Sequence, residues 1–206
     1  MNSENDFFLT ISKPYGPEEL KDKGSRFISY AYPVTQVEGT VTVISALRKK
    51  YHDATHVCFA YRIGNGEDTH IRYTDDGEPG GTAGLSIYNE IKNKEYYNII
   101  VAVVRYFGGI KLGTGGLVRA YAGASRQILE ITDPIKVYIT QKASLTFPYT
   151  LTGEMMQLMN RFSLKIIQRD YTDQGITMVL EIPPNLINEV SHAIIDASSG
   201  KIQLEI

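Results

Sequence analysis

The 206 residues contain one cysteine, Cys58, so no intramolecular disulfide can staple the fold, which suits a reducing compartment. No apolar run approaches the about 20 residues that a membrane-spanning helix needs. Residues 1–6 are polar and acidic, without the basic stretch and apolar core of a signal peptide. Charge of neither sign dominates: 21 Lys and Arg stand against 23 Asp and Glu, a net charge of −2, so composition alone demands neither a nucleic acid nor a membrane surface. Repeats, low-complexity segments and Cys-x-x-Cys pairs are absent too. What remains is the profile of a soluble, cytoplasmic globular protein with a sizeable core and no membrane partner.

Glycine is abundant where cysteine is scarce. Five glycines fall between Arg105 and Arg119: Gly108, Gly109, Gly113, Gly115 and Gly116. Each loses backbone entropy on ordering, so folding alone is a poor reason for the cluster. The segment follows an apolar run at 99–104, read as a buried strand, and precedes helical periodicity at 117–129. Strand, glycine-rich loop and helix start together present backbone N–H groups to an anion. The loop is not a Walker A motif, and its order differs from the Gly-x-Gly-x-x-Gly of dinucleotide binders. In the functional reading Thr114 caps the helix, while Arg105, Lys111 and Arg119 add charge around a phosphate. A helix terminus contributes at most about 2 kcal/mol to an anion, so those side chains must carry most of the affinity. The alternative is a tight turn where the helix packs closely on the strand.

A second motif, Asp75-Asp76-Gly77-Glu78-Pro79-Gly80-Gly81-Thr82-Ala83-Gly84, places three carboxylates in four residues. Its spacing is not that of an EF-hand loop. Asp75, Asp76, Glu78 and Thr82, with His56, are candidates to line a cleft, Thr82 doubling as a helix cap; turn and cap chemistry is the competing explanation. His52, His56 and Cys58 bring zinc or a Cys–His nucleophile to mind, but no fourth ligand or matching pattern accompanies them, and an inward strand cysteine is more often core. Neither a catalytic residue, a metal site nor a cofactor is assigned.

The coarse reading of the first part is a strand at 26–34, a helix at 41–51, a strand at 57–63, a hairpin turn at Gly64-Asn65-Gly66, a return strand at 69–74 and a helix at 82–92. After Asp133-Pro134 only Gly153, Gly175 and Gly200 remain, a shift that puts a domain boundary near 131–136, with domains at 1–133 and 134–206. In the second part, strands at 135–147, 164–171, 176–182 and 201–206 and helices at 151–162 and 185–197 follow the β-α-β-β-α-β order of a ferredoxin-like module.

Three segments resemble the YigZ/IMPACT family: Tyr51-His52-Asp53-Ala54-Thr55-His56-Val57-Cys58, the acidic glycine motif from Asp75 to Gly84, and Val104 through Tyr121 with its glycine-rich loop. The resemblance covers roughly residues 15–130, and the remainder resembles the small ferredoxin-like domain that bacterial members append. It implies an α+β protein of two domains, the first like domain four of elongation factor G and a ribosomal small-subunit protein, the second like domains three and five of that factor. Such kinship favours contact with RNA, the ribosome or a protein of the translation machinery. Eukaryotic relatives regulate translation under amino-acid stress and carry a further N-terminal interaction domain with no counterpart in these residues. A dipeptidase label given to bacterial members finds no metallopeptidase ligand set in this chain.

Three expectations stand side by side. The first is a non-enzymatic, translation-associated regulator that holds RNA phosphate at the glycine loop. The second is a nucleotide or phosphorylated small-molecule site, with His56 or Asp76 as acid or base in an enzyme. The third is a protein-interaction module that uses the ferredoxin-like domain, its two motifs being structural.

Overall fold

The computed structural model describes residues 7–65 and 69–206; residues 1–6 and Gly66 of the expected hairpin turn lie outside the described residues. The chain divides into two compact units, Phe8–Val137 and Tyr138–Ile206, the latter with Phe7. It is a two-domain α+β protein.

The first unit is built on five strands in the order β2-β3-β6-β4-β5, with every neighbouring pair antiparallel. These are β2 (Tyr15–Asp22), β3 (Ser25–Pro33), β4 (His56–Ile63), β5 (His70–Thr74) and β6 (Ile99–Tyr106). The apolar run of β6 is continuous because this central strand is covered on both faces. Ile99, Val101 and Val103 enter one core cluster, and Ile100, Ala102 and Val104 enter the other. Helix α1 (Val37–Lys50) covers the second face with Ile44 and Leu47. Helices α2 (Gly84–Asn93) and α3 (Gly113–Glu130) cover the first. The α3 stripe Leu117, Ala120, Tyr121, Ala124 and Ile128 has the three-and-four spacing of one helix face.

Several expectations change. Helix α3 begins at Gly113, not Leu117, so Gly113, Gly115 and Gly116 form its first turn. Strands β1 (Phe7–Ile11) and β2 precede the expected first strand. β2 sits at a sheet edge, where Glu18, Glu19, Lys21 and Asp22 need no apolar alternation. The expected single strand at 135–147 is two: β7 (Pro134–Tyr138) pairs with β1, and β8 (Gln141–Phe147) joins the second unit.

That second unit has the antiparallel sheet β8-β10-β9, with β9 (Lys165–Thr172) and β10 (Gly175–Ile182). Helices α4 (Thr152–Arg161) and α5 (Ile187–Ala197) supply Met155, Met159, Val190 and Ile194 to its core. The expected closing strand at 201–206 is reduced to one antiparallel bridge, Ser144 to Glu205. Among the described residues no helix is long and apolar enough to cross a membrane.

Helix α2 starts hard against β5: a Cβ on Gly84 would lie 2.6 Å from the backbone nitrogen of Thr74. Backbone cannot yield as a side chain can, so Gly84→Ala should destabilise the first unit by about 1–3 kcal/mol. Urea denaturation should show a lower midpoint with the slope unchanged.

Candidate functional site

Antiparallel pairing brings four chain segments to one end of the five-stranded sheet. His56, at the start of β4, pairs with Arg105 near the end of β6, and Tyr106 pairs with Arg26 near the start of β3. The segment after β5 and the loop after β6 therefore emerge together, and the two glycine-containing motifs meet there.

A buried ion pair joins them. Nη1 of Arg105 donates to Oε1 of Glu78 at 2.5 Å, with both side chains almost fully enclosed. The Tyr121 hydroxyl donates to the same carboxylate oxygen at 2.8 Å. Burial raises the Tyr121 pKa, and the neighbouring Cys58 and Glu78 reinforce the effect, so the hydroxyl keeps its proton and remains a donor. Ser25 Oγ accepts from Nη2 of Arg105 at 3.4 Å and from the Gly108 N–H at 3.2 Å. Gly108 lies so close to the β2–β3 turn that a Cβ would sit 1.8 Å from the carbonyl carbon of Gly24. The glycine loop is thereby pinned at its root.

The acidic motif is committed to structure. Oδ1 of Asp75 accepts from the N–H groups of Ala83 and Gly84 at 2.9 and 2.8 Å, and Oδ2 accepts from Gly81 at 2.8 Å. Burial alone would push this carboxyl up, but the donors at Gly81, Gly84 and Ala83 outweigh it and hold it below the ordinary aspartate value of 3.8. Asp76 takes Arg48 on one oxygen at 2.5 Å and the Val57 N–H on the other at 2.7 Å. The expected α2 cap, Thr82, instead donates its hydroxyl to the Pro79 carbonyl at 2.6 Å; Asp75 holds the helix start. Nδ1 of His56 lies 2.7 Å from the Asp76 carbonyl, which assigns its proton there and leaves Nε2 facing Glu78 at 3.8 Å. No group of three or more His, Cys, Asp or Glu among the described residues is placed to hold a metal ion.

Cys58 is fully buried, and burial pushes its thiol up to about 12, so it is no thiolate nucleophile at neutral pH. Arg105, expected at a phosphate, is corrected to an internal anchor because Glu78 neutralises it inside the protein. Thr114 is corrected likewise: it lies within α3, whose N-cap position is Leu112 and whose start has no side-chain cap and no acidic residue in the first turn.

What faces outward is the rest of the glycine loop. Lys111, Gly113, Thr114, Gly115 and Arg119 stand at the surface, Lys111 and Arg119 among the exposed residues. Lys111 and Arg119 make no hydrogen bond or ion pair with the described residues. Nη1 of Arg119 comes within 3.7 Å of where a Cβ on Gly115 would stand, so its guanidinium reaches back over the first turn of α3. Apart from its chain neighbours and the helix backbone, no heavy atom lies within 4 Å of a Cβ position on Gly109 or Gly113. Gly116, by contrast, is buried against Leu112.

Ser25, Arg48, Thr55 and Tyr121 complete the arrangement, and the sequence alone does not single them out as site residues. Their partners are distant in the chain (Ser25 is 80 residues from Arg105), so no local pattern announces them.

A family model described as the Impact N-terminal domain matches residues 23–129, the segment that carries all of these groups. The chain belongs to the IMPACT family. A second model, a domain of unknown function, matches residues 145–201. The IMPACT family member YigZ of Escherichia coli is 35% identical over 189 residues, covering 91% of each chain. The IMPACT family member YvyE of Bacillus subtilis is 33% identical over 185 residues, 88% of this chain and 84% of the relative. A crystal structure of a hypothetical protein superposes with a TM-score of 0.71 at 31% identity, over 97% of this chain and 96% of that one.

Two outcomes follow for the buried network. Arg105→Ala leaves the Glu78 carboxylate enclosed without its cation and should cost about 3–5 kcal/mol; adding Glu78→Gln should recover part of that loss, as chemical denaturation of both variants would show. The Asp75 pKa is lower folded than unfolded, so its stabilisation is complete above the unfolded value and disappears as pH falls through the folded one. Asp75→Asn should be less stable than the native chain near neutral pH and lose less on acidification, read as denaturation midpoints from about pH 7 to about pH 2.

Proposed function

We propose that this IMPACT family member is a translation-associated, non-enzymatic regulatory protein that contacts RNA, within the ribosome or close to it, by holding backbone phosphate at the start of α3. One observation carries the reading: two exposed cations, Lys111 and Arg119, unpaired among the described residues, flank a helix start with no side-chain cap among those residues, where Gly109 and Gly113 have open space above them. Free N–H groups and flexible cations on a loop pinned at its root suit an oxyanion that must approach backbone closely. Kinship with translation machinery, implied by the family resemblance, favours RNA as the bearer of that oxyanion.

The net charge of −2 does not oppose this, because the cations are unevenly placed. Lys23 lies in the turn that meets Gly108, and Lys49 and Lys50 close α1 just before the segment leading into β4. Lys50 is engaged by the Tyr30 hydroxyl at 2.9 Å, whereas Lys111 and Arg119 stand unpaired among the described residues, and Asp76 and Glu78 are already matched by Arg48 and Arg105. Local potential, not net charge, steers a polyanion.

Binding to a fluorescent RNA, followed by polarisation across a salt titration, tests the proposal. Affinity should fall steeply with salt, and Lys111→Ala/Arg119→Ala should weaken binding and reduce the slope by about one for each phosphate that is no longer neutralised. Absence of binding at low salt by the folded native chain would refute it.

A further inference from the structure

The glycine loop exposes apolar side chains as well as cations. Phe107 is 47% exposed and Ile110 is 57% exposed, directly before Lys111. The root of this segment is held firmly. The Phe107 N–H donates to Thr55 Oγ1 at 3.0 Å, and the adjoining Gly108 is locked on Gly24. The Arg105 guanidinium lies 5.7 Å from the Phe107 ring centroid, so the ring is backed by a buried cation while nearly half of the residue meets solvent. An aromatic ring held at the rigid end of the central strand, half open to solvent and four residues before Lys111 on the same loop, has the makings of a stacking platform.

Resting on the phosphate reading above, we infer that the RNA taken by this site is single-stranded, with an unpaired nucleobase stacked on Phe107 while its backbone phosphates lie along Lys111 and Arg119. Base stacking on an aromatic ring combined with a cationic track is how single strands are held without sequence readout. An A-form duplex keeps its base faces inside its own stack and offers Phe107 no π surface; it can use only the phosphate contacts. The surface thus discriminates strand state through Phe107 and binds polyanion through Lys111 and Arg119. Charge complementarity selects RNA over an apolar protein face, because Lys111 and Arg119, which follow Phe107 and Ile110 in the chain, form no ion pair among the described residues.

The chain has no tryptophan, so Phe107→Trp would create the only one, located at the proposed contact. A single-stranded RNA of about ten nucleotides should quench its emission, and a duplex of the same length should not. Phe107→Ala should lower single-strand affinity about tenfold, leaving duplex affinity and salt slope unchanged, whereas Lys111→Ala/Arg119→Ala should weaken both. An unfolding midpoint for each variant close to that of the native chain keeps the comparison on folded protein. Equal affinity for both RNAs, with unquenched Trp emission and no effect of Phe107→Ala, would overturn the stacking while leaving the phosphate reading standing. No binding of either RNA at low salt would overturn both and leave the patch to an acidic protein surface.

Discussion

The buried pair between Glu78 and Arg105 is the contact on which the rest of the sheet end depends. Two opposite charges enclosed in a low-dielectric interior tolerate little misplacement, because each must offset the lost hydration of the other. The pair is therefore found with further partners: the Tyr121 hydroxyl on the carboxylate, and Ser25 on the guanidinium. It connects the turn entering α2 to the strand that launches the glycine loop, and Tyr121 brings in α3. Three segments far apart in the chain thus share one polar anchor, and the loop beyond it starts from a fixed point.

That anchor separates side chains that look alike in the sequence. Arg105, Lys111 and Arg119 are three cations around one loop, yet the first is neutralised inside the protein and the other two stand in solvent without partners among the described residues. The carboxylates are sorted in the same way. Asp75 substitutes for an external anion at the start of α2 by accepting three backbone N–H groups, whereas among the described residues no side chain plays that part at the start of α3. Two helices begin side by side at one end of the sheet, one supplied with an internal carboxylate and one open. The proposed phosphate contact at α3 rests on this asymmetry.

The second unit has its own apolar core and its own three-stranded sheet. The expected anion site lies wholly within the first unit, in the segment matched by the Impact N-terminal domain. The second unit adds a separate surface.

Elements with strong periodicity or continuous burial were legible in the sequence by itself. The apolar run of β6, the stripe of α3, and the two helices and inner strands of the second unit follow from residue spacing, since burial of one or both faces leaves a pattern that needs no knowledge of the partner. The unusual density of glycine at 108–116 and the run of carboxylates at 75–78 marked the two motifs, and their resemblance to the IMPACT family indicated two α+β domains. Strand β2 escaped because an edge strand of charged residues has no pattern to read, and the segment at 135–147 looked continuous because the choice of partner sheet breaks it, not its own composition. The tertiary structure alone decided which polar groups face inward. Glu78 is 27 residues from Arg105 and 43 from Tyr121, so whether it lines a cleft or forms a buried pair depends on which strands are neighbours, a long-range fact absent from local spacing. The residues left over once those pairs form are exposed for the same reason: Lys111 and Arg119 find no partner among the described residues, and Phe107 is covered on one side only.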